Sequence, residues 1–180
     1  MKLVFVRHGQ TDYNKQGIVQ GQEKDPPLNA EGTAQVEKTA LRIPAEIDRI
    51  ISSPLKRALQ TAGILNKRLN KSIEVNDELK EFKYGSLAGK TWAEIVAVTG
   101  DEDVYEKDSN VTFDYRPYGG ESAQDVKTRV SGFVDEAKKK YPAETILITA
   151  HGGIIDTMHV LFPRSEREAS DNASVHQFEF

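Results

Sequence analysis

The chain has 180 residues, 38% of them hydrophobic and 29% charged, with no cysteine and a formal net charge of -4. That is one domain's length with a globular balance, and the absence of cysteine excludes disulfides and Cys-ligated metals. The negative charge argues against nucleic acid or an acidic membrane as partner, and with no apolar run near bilayer length or signal-peptide length, a cytoplasmic protein is expected.

The first element in chain order is the apolar run Leu3–Val6, read as a buried strand that passes directly into Arg7, His8 and Gly9. Asn29 caps a helix that Pro44 stops. Arg49–Ser53 reads as a second strand. Ser53 followed by Pro54 then starts a helix on which Leu55, Ala58, Leu59, Ala62, Leu65 and Leu69 recur at helical spacing. Lys71–Val75 is a weaker strand. Thr91 with Glu94 forms a capping-box pattern ahead of a short helix. Ser122 with Asp125 does the same for a helix that reaches about Lys140, where Lys138–Lys140 complement the dipole and Pro142 ends the element. Thr145–Ala150 is another buried strand, followed by Gly152, Gly153 and a helical Ile154–Phe162. Val175–Phe180 alternates in polarity and predicts a last strand near an edge. The polar, turn-rich stretch Asp101–Asn110 predicts no element. Trp92, Tyr105, Phe113, Tyr115 and Tyr118 concentrate between 90 and 120. The plainer reading is a small subdomain with its own aromatic packing; the sharper one is a cap over a pocket. The whole chain, 1–180, is expected to be one domain with 90–120 as a cap or insertion.

Apolar runs alternating with helical patterns define an α/β domain. Strands buried on both faces of a parallel sheet read as continuous apolar runs, and ligands bind at their carboxyl ends. Those ends carry Arg7, His8 and Gly9, then Ser53, Pro54 and Arg57, then His151, Gly152 and Gly153. Converging arginines match phosphate oxygens in bidentate fashion. Helix N-termini supply N–H donors to anions, and glycines let backbone approach a ligand. Two histidines in one anion pocket can divide a nucleophilic and a charge-stabilising role. Taken singly these signals are bland: a His-Gly after a strand is usually a turn, and an Arg on a helix is usually solvated.

At these residues the chain resembles the histidine phosphatase superfamily, in its phosphoglycerate-mutase-like branch. The stretches that carry the likeness are VRHGQTDYN, SSPLKRALQTA, LKEFKYGSLAGKT, GGESAQDVKTRV and ILITAHGGII, in family order across nearly the whole chain. The resemblance implies a three-layer α/β/α sandwich with a mostly parallel sheet. It implies His8 as the nucleophile that accepts a phosphoryl group, with Arg7, Arg57 and His151 holding the phosphate and its transition-state charge. Asn14, the backbone N–H of Gly152, Gln20 and Gly21 form the implied substrate-binding set, and Glu81 is the implied general acid. Only the motif register selects Glu81 over Glu78, Glu94 and Glu121; Glu121 is expected to contact an arginine instead. His159 and His176 match no catalytic motif and are expected as a packed or rim residue and a strand side chain.

The chain departs from the family pattern at Ile18, where relatives commonly carry Arg, and at Ala88, where they commonly carry Glu. Both bear on substrate recognition. The short segment between Gly89 and Gly119 favours a phosphatase over a mutase. The implied enzyme is a metal-independent phosphatase with no cofactor and a small phosphorylated substrate. The alternatives are a phosphoglycerate mutase and a non-catalytic phosphate-binding module. A metallohydrolase built on His8, Asp12 and His151 lacks a recognised zinc-ligand spacing.

Overall fold

The computed structural model describes residues 1–163 and 169–180. In chain order the elements are β1 (Lys2–Arg7), α1 (Asp12–Lys15), α2 (Ala30–Ala40), β2 (Arg49–Ser52), α3 (Lys56–Leu69) and β3 (Ile73–Val75). They continue with α4 (Trp92–Thr99), α5 (Val104–Ser109), α6 (Ala123–Lys140), β4 (Thr145–Ala150), α7 (Gly152–Leu161) and β5 (Val175–Glu179). The strand order is β3-β2-β4-β1-β5. All neighbours are parallel except β5, which runs antiparallel to β1 at the edge.

Strand alternation sorts the core into two layers. Leu3, Phe5, Ile51, Ile146 and Ile148 face α6 and α7, where Val126, Val130, Ile154 and Met158 meet them. Val4, Val6, Ile50 and Leu147 face the other way, toward Val36 of α2 and Ala62 and Leu65 of α3. The result is a three-layer α/β/α sandwich with a mostly parallel sheet, as the sequence predicts. Register then places the site: Arg7 lies opposite Ala150, and Ser52 opposite Thr149. The polar residues that leave β1, β2 and β4 therefore emerge side by side.

Element boundaries shift where side chains find other partners. α2 ends at Ala40, ahead of Pro44, because Leu41 and Arg42 N–H turn back to the Lys38 and Thr39 carbonyls in a tightened last turn. α3 starts at Lys56, whose N–H is received by the Asp25 carboxylate at 2.8 and 3.0 Å; the cap comes from a distant loop instead of from Ser53. β3 begins at Ile73, since Asn70 is left-handed and the Lys71 N–H is taken by Asn66. Two helices were not anticipated: α1, opened by a Thr11–Asn14 capping box, and α5, inside the turn-rich stretch. Segment 90–120 packs aromatic rings on one another, Phe113–Tyr115 at 4.6 Å and Trp92–Tyr105 at 5.1 Å, and Tyr84 joins Tyr115 from outside it at 4.6 Å. Ile95, Val104 and Tyr115 also join the core that reaches the sheet.

The loop after β1 is held by close backbone approach. A Cβ on Gly32, in the first turn of α2, would stand 2.1 Å from the Gln10 carbonyl oxygen. Gly63 of α3 faces open space. Ala is the better helix former at both positions, so the pair separates propensity from packing. Gly63→Ala is expected to stabilise by about 0.5–1 kcal/mol. Gly32→Ala is expected to destabilise by about 1–3 kcal/mol through overpacking. Thermal melts check this, since each kcal/mol shifts Tm by about 2–4 °C in a chain of this size.

Candidate active site

His8 follows β1 and is buried. Its Nδ1 lies 2.8 Å from the Gly9 carbonyl oxygen. A carbonyl can only accept, so the ring carries its proton on Nδ1 and leaves a lone pair on Nε2. The Arg57 Nε–H donates to that Nε2 at 3.3 Å. Burial, then the Arg57 and Arg7 charges, push the His8 pKa well below the usual imidazole value, against a smaller upward pull from the Gly9 carbonyl. The ring is therefore neutral at neutral pH.

Arg57 is fully buried in the first turn of α3. It donates to the carbonyls of Lys24 at 3.0 Å and Gly21 at 2.9 Å, and the Asp25 carboxylate lies 3.6 Å away. Burial lowers its pKa to about 10, so it remains a cation at neutral pH. Gly21 takes a left-handed φ of 59°, where a Cβ would also collide with Tyr84 and the Phe82 carbonyl. Thr61 ties α3 to the His8 loop: its Oγ1 accepts from the Gly9 N–H at 3.2 Å and donates to the Arg57 carbonyl at 2.8 Å.

Arg7 donates through Nη1 to the Ser170 carbonyl, while its buried Nε has no hydrogen-bond partner among the described residues. Its guanidinium lies against Gly152 in the first turn of α7, 3.4 Å from where a Cβ would stand. His151 is buried behind His8, ring centroids 5.2 Å apart. Its Nε2 pairs with the Ser53 hydroxyl at 2.8 Å, and its buried Nδ1 has no partner among the described residues. Burial, then Arg57 and His8, lower its pKa well below the usual value.

Glu81 faces these cations from a loop. Its Oε1 accepts from the Phe82 N–H at 2.9 Å and its Oε2 from the Gly153 N–H at 3.3 Å. A side chain at Gly153 would stand 2.6 Å from Oε1, so glycine is needed there. Burial raises the Glu81 pKa, and the Phe82 hydrogen bond and the two arginines pull it back. Gln22 Nε2 and Arg129 Nη2 both donate to the Glu81 carbonyl, at 2.8 and 3.2 Å. Arg129 is in turn paired with Glu121 at 3.0 Å. Glu121 thus contacts an arginine, as expected, and helps to fix the Glu81 backbone. Glu78 and Glu94 are exposed, and Glu94 caps α4.

Asn14 uses its Oδ1 to receive the Thr11 N–H at 3.0 Å, which leaves its NH2 group to the cleft it lines. Gln20 Oε1 accepts from the Thr11 hydroxyl at 3.0 Å. The cleft encloses about 580 Å³. Arg7, His8, Asn14, Gln20, Gly21, Arg57, Glu81 and Gly152 all line it; His151 lies behind the wall. Sequence reasoning missed Tyr84, Asp108, Ser170 and Asn172, which also line it. Asn172 donates to the His8 carbonyl at 3.2 Å from a loop with no motif to flag it. Ile18 lines the cleft, and Ala88 packs on the core. His159 and His176 lie outside the cleft and pair with each other, Nε2 to Nδ1, at 3.0 Å.

A cluster of Arg and His at parallel-strand ends, faced by a half-buried glutamate, defines an anion site of the phosphohydrolase kind. Residues 3–180 match the family model of the histidine phosphatase superfamily (branch 1). The chain belongs to that superfamily. It is 34% identical over 157 residues to the uncharacterized phosphatase PhoE of Bacillus subtilis, covering 87% of this chain and 74% of that protein. It is 31% identical to phosphoserine phosphatase 1 of Hydrogenobacter thermophilus, covering 84% of this chain and 71% of that protein. A mycobacterial glucosyl-3-phosphoglycerate phosphatase solved with VO3 superposes with a TM-score of 0.82 at 30% identity, covering 98% and 91% of the two chains. A phosphoglycerate mutase from Thermus thermophilus superposes at 0.72 and 29% identity, covering 91% and 85%.

The cation field gives a signed pH prediction. His8 and His151 should stay neutral until the pH falls well below the usual imidazole value. Inorganic phosphate should raise both midpoints, because a bound anion offsets the arginine charges. Imidazole NMR titrations with and without phosphate check it; a midpoint at or above the usual value without phosphate contradicts the electrostatics.

Proposed function

We propose that the chain is a metal-independent phosphomonoesterase acting through a phosphohistidine on His8. The observation that carries this reading is the His8 tautomer: the Gly9 carbonyl holds the proton on Nδ1, leaving Nε2 as an in-place nucleophile beside Arg57. Arg7 and Arg57 supply positive charge for the phosphoryl oxygens. The unpartnered Arg7 Nε–H is a donor suited to such an anion. In the first step Nε2 bonds to phosphorus, the ester P–O bond breaks, and protonated Glu81 gives its proton to the departing alkoxide. In the second, Glu81 takes a proton from water, whose oxygen displaces His8 from phosphorus. The raised Glu81 pKa suits a group that must carry a proton first.

A hydrolase is favoured over a mutase by the cleft's cations. Among the described residues that line it, only Arg7 and Arg57 carry a guanidinium or ammonium, and both serve the His8 end. Among the described lining residues, a second phosphate would find no cation of its own. A small phosphorylated substrate fits the cleft volume, and a cytoplasmic location is in keeping with a chain in which no described helix is long and apolar enough to cross a membrane.

Substrate should leave an acid-labile, base-stable phosphoryl label on the protein, absent in His8→Ala. An acid-stable label, or full turnover by His8→Ala, overturns the mechanism. Activity should also survive exhaustive chelation; loss on chelation with recovery on adding a divalent ion would favour the metallohydrolase.

Glu81→Gln should slow hydrolysis of alkyl phosphates by roughly 10²–10⁴-fold, the range for acid–base catalysis. p-Nitrophenyl phosphate, whose leaving group needs a proton much less, should lose far less in the pre-steady-state burst. If Glu78→Gln shows that leaving-group dependence and Glu81→Gln does not, the acid is misassigned.

A further inference from the structure

The proposed chemistry uses one end of the cleft. A further wall of the cleft comes from α5, which turns Tyr105, Asp108 and Ser109 to it at helical neighbour spacing, and from Trp92. The Tyr84 and Tyr115 hydroxyls both donate to the same oxygen of Asp108, Oδ1, at 3.1 and 2.8 Å. Two phenols thereby fix the carboxylate, and its Oδ2 receives no hydrogen bond from the described residues. The Trp92 and Tyr105 rings meet edge to face at 5.1 Å, and Tyr105 is 59% exposed.

We propose that Asp108 selects the alcohol half of the substrate by receiving a cationic hydrogen-bond donor, so that the preferred ligand is a phosphomonoester of an amino alcohol. This rests on the phosphate end lying at His8, as in the function proposed above. The wall and the His8 end are then electrically complementary to a zwitterion: guanidinium groups meet the phosphate, and a carboxylate with two aromatic rings lining the same cleft meets the ammonium. The acceptor is pre-organised by the two phenols, so little ordering is needed on binding. Burial raises the Asp108 pKa to about 7, with the Glu81 charge adding to the rise, and a bound ammonium would favour the ionised form. A substrate with a carboxylate or second phosphate at this point would instead face Asp108 with no compensating lysine or arginine among the described lining residues.

Binding tests this without requiring turnover. Dissociation constants of aminoethyl, aminopropyl and aminobutyl phosphate are compared with those of the length-matched alkyl phosphates in His8→Ala. At least one amino compound should bind roughly tenfold more tightly than its match, the scale of a charge-assisted hydrogen bond partly screened by water. Adding Asp108→Asn, which keeps shape and can still accept from both phenols, should bring the ratio within about twofold. No preference at any chain length overturns the proposal, and so does a preference that survives Asp108→Asn. Wild-type phosphate release is scored separately. Release from alkyl phosphates with no amino preference overturns this inference alone; preferential binding with no release from any ester overturns the phosphatase reading alone.

Discussion

The structure depends on keeping a guanidinium in the interior. Arg57 is fully buried, and its nearest carboxylate, on Asp25, is 3.6 Å away and shared with the N-terminus of α3. Burying a charge costs several kcal/mol unless paired hydrogen bonds offset it. Two carbonyls, from Gly21 and Lys24, do part of that work, which is why the chain there turns through a left-handed glycine. Burial first, and then the remaining field, hold both the His8 and His151 rings neutral. On the proposed function, an anion between Arg7 and Arg57 would relieve the crowding, so the same arrangement that strains the free protein would favour phosphate.

The scaffold that bears this strain is the sheet. Parallel register sets Arg7 beside Ala150 and Ser52 beside Thr149, and the apolar residues of the strands behind them are buried. Backbone contacts then leave little slack: Gly9 against Gly32, the Gly9 N–H on Thr61, and the His8 N–H on the Ala150 carbonyl. The proposed nucleophile His8, placed by strand geometry and close packing, is held more firmly than a residue on an open loop.

What could be read from sequence was whatever depends on local pattern. The apolar runs of β1, β2 and β4 and the capping pairs Thr91–Glu94 and Ser122–Asp125 declare themselves within a few residues, and the structure has them. The gathering of Arg7, His8, Arg57 and His151 was legible because each follows a strand end, and parallel strands share one carboxyl edge. The unread features depend on partners far along the chain. Asp25 caps α3 from 31 residues away, and Arg129 grips the Glu81 carbonyl from 48 away. α5 has no side-chain cap, and its Asp101–Lys107 ion pair joins residues six apart that span its start. Asp108 gave no signal because an Asp in a polar stretch is ordinarily solvated; only the two phenols from elsewhere make it otherwise.

The cleft therefore has two walls of different origin. The cationic wall is drawn from strand ends locked into the sheet, where a change in one residue disturbs the core. The other is drawn from α4 and α5, which stand outside the sheet. Relatives that share the family are named for substrates as unlike as phosphoserine and glucosyl-3-phosphoglycerate. On the proposals above, a division of this kind would let the alcohol-facing wall vary while the phosphate-facing wall stays. The two walls are still joined at one point. Tyr84, which orients Asp108, lies three residues after Glu81 on the same loop, and its ring packs 6.1 Å from Phe82, whose N–H holds the Glu81 carboxyl. A ligand bound at Asp108, as proposed above, would therefore rest on a residue of the same loop that carries the proposed proton donor.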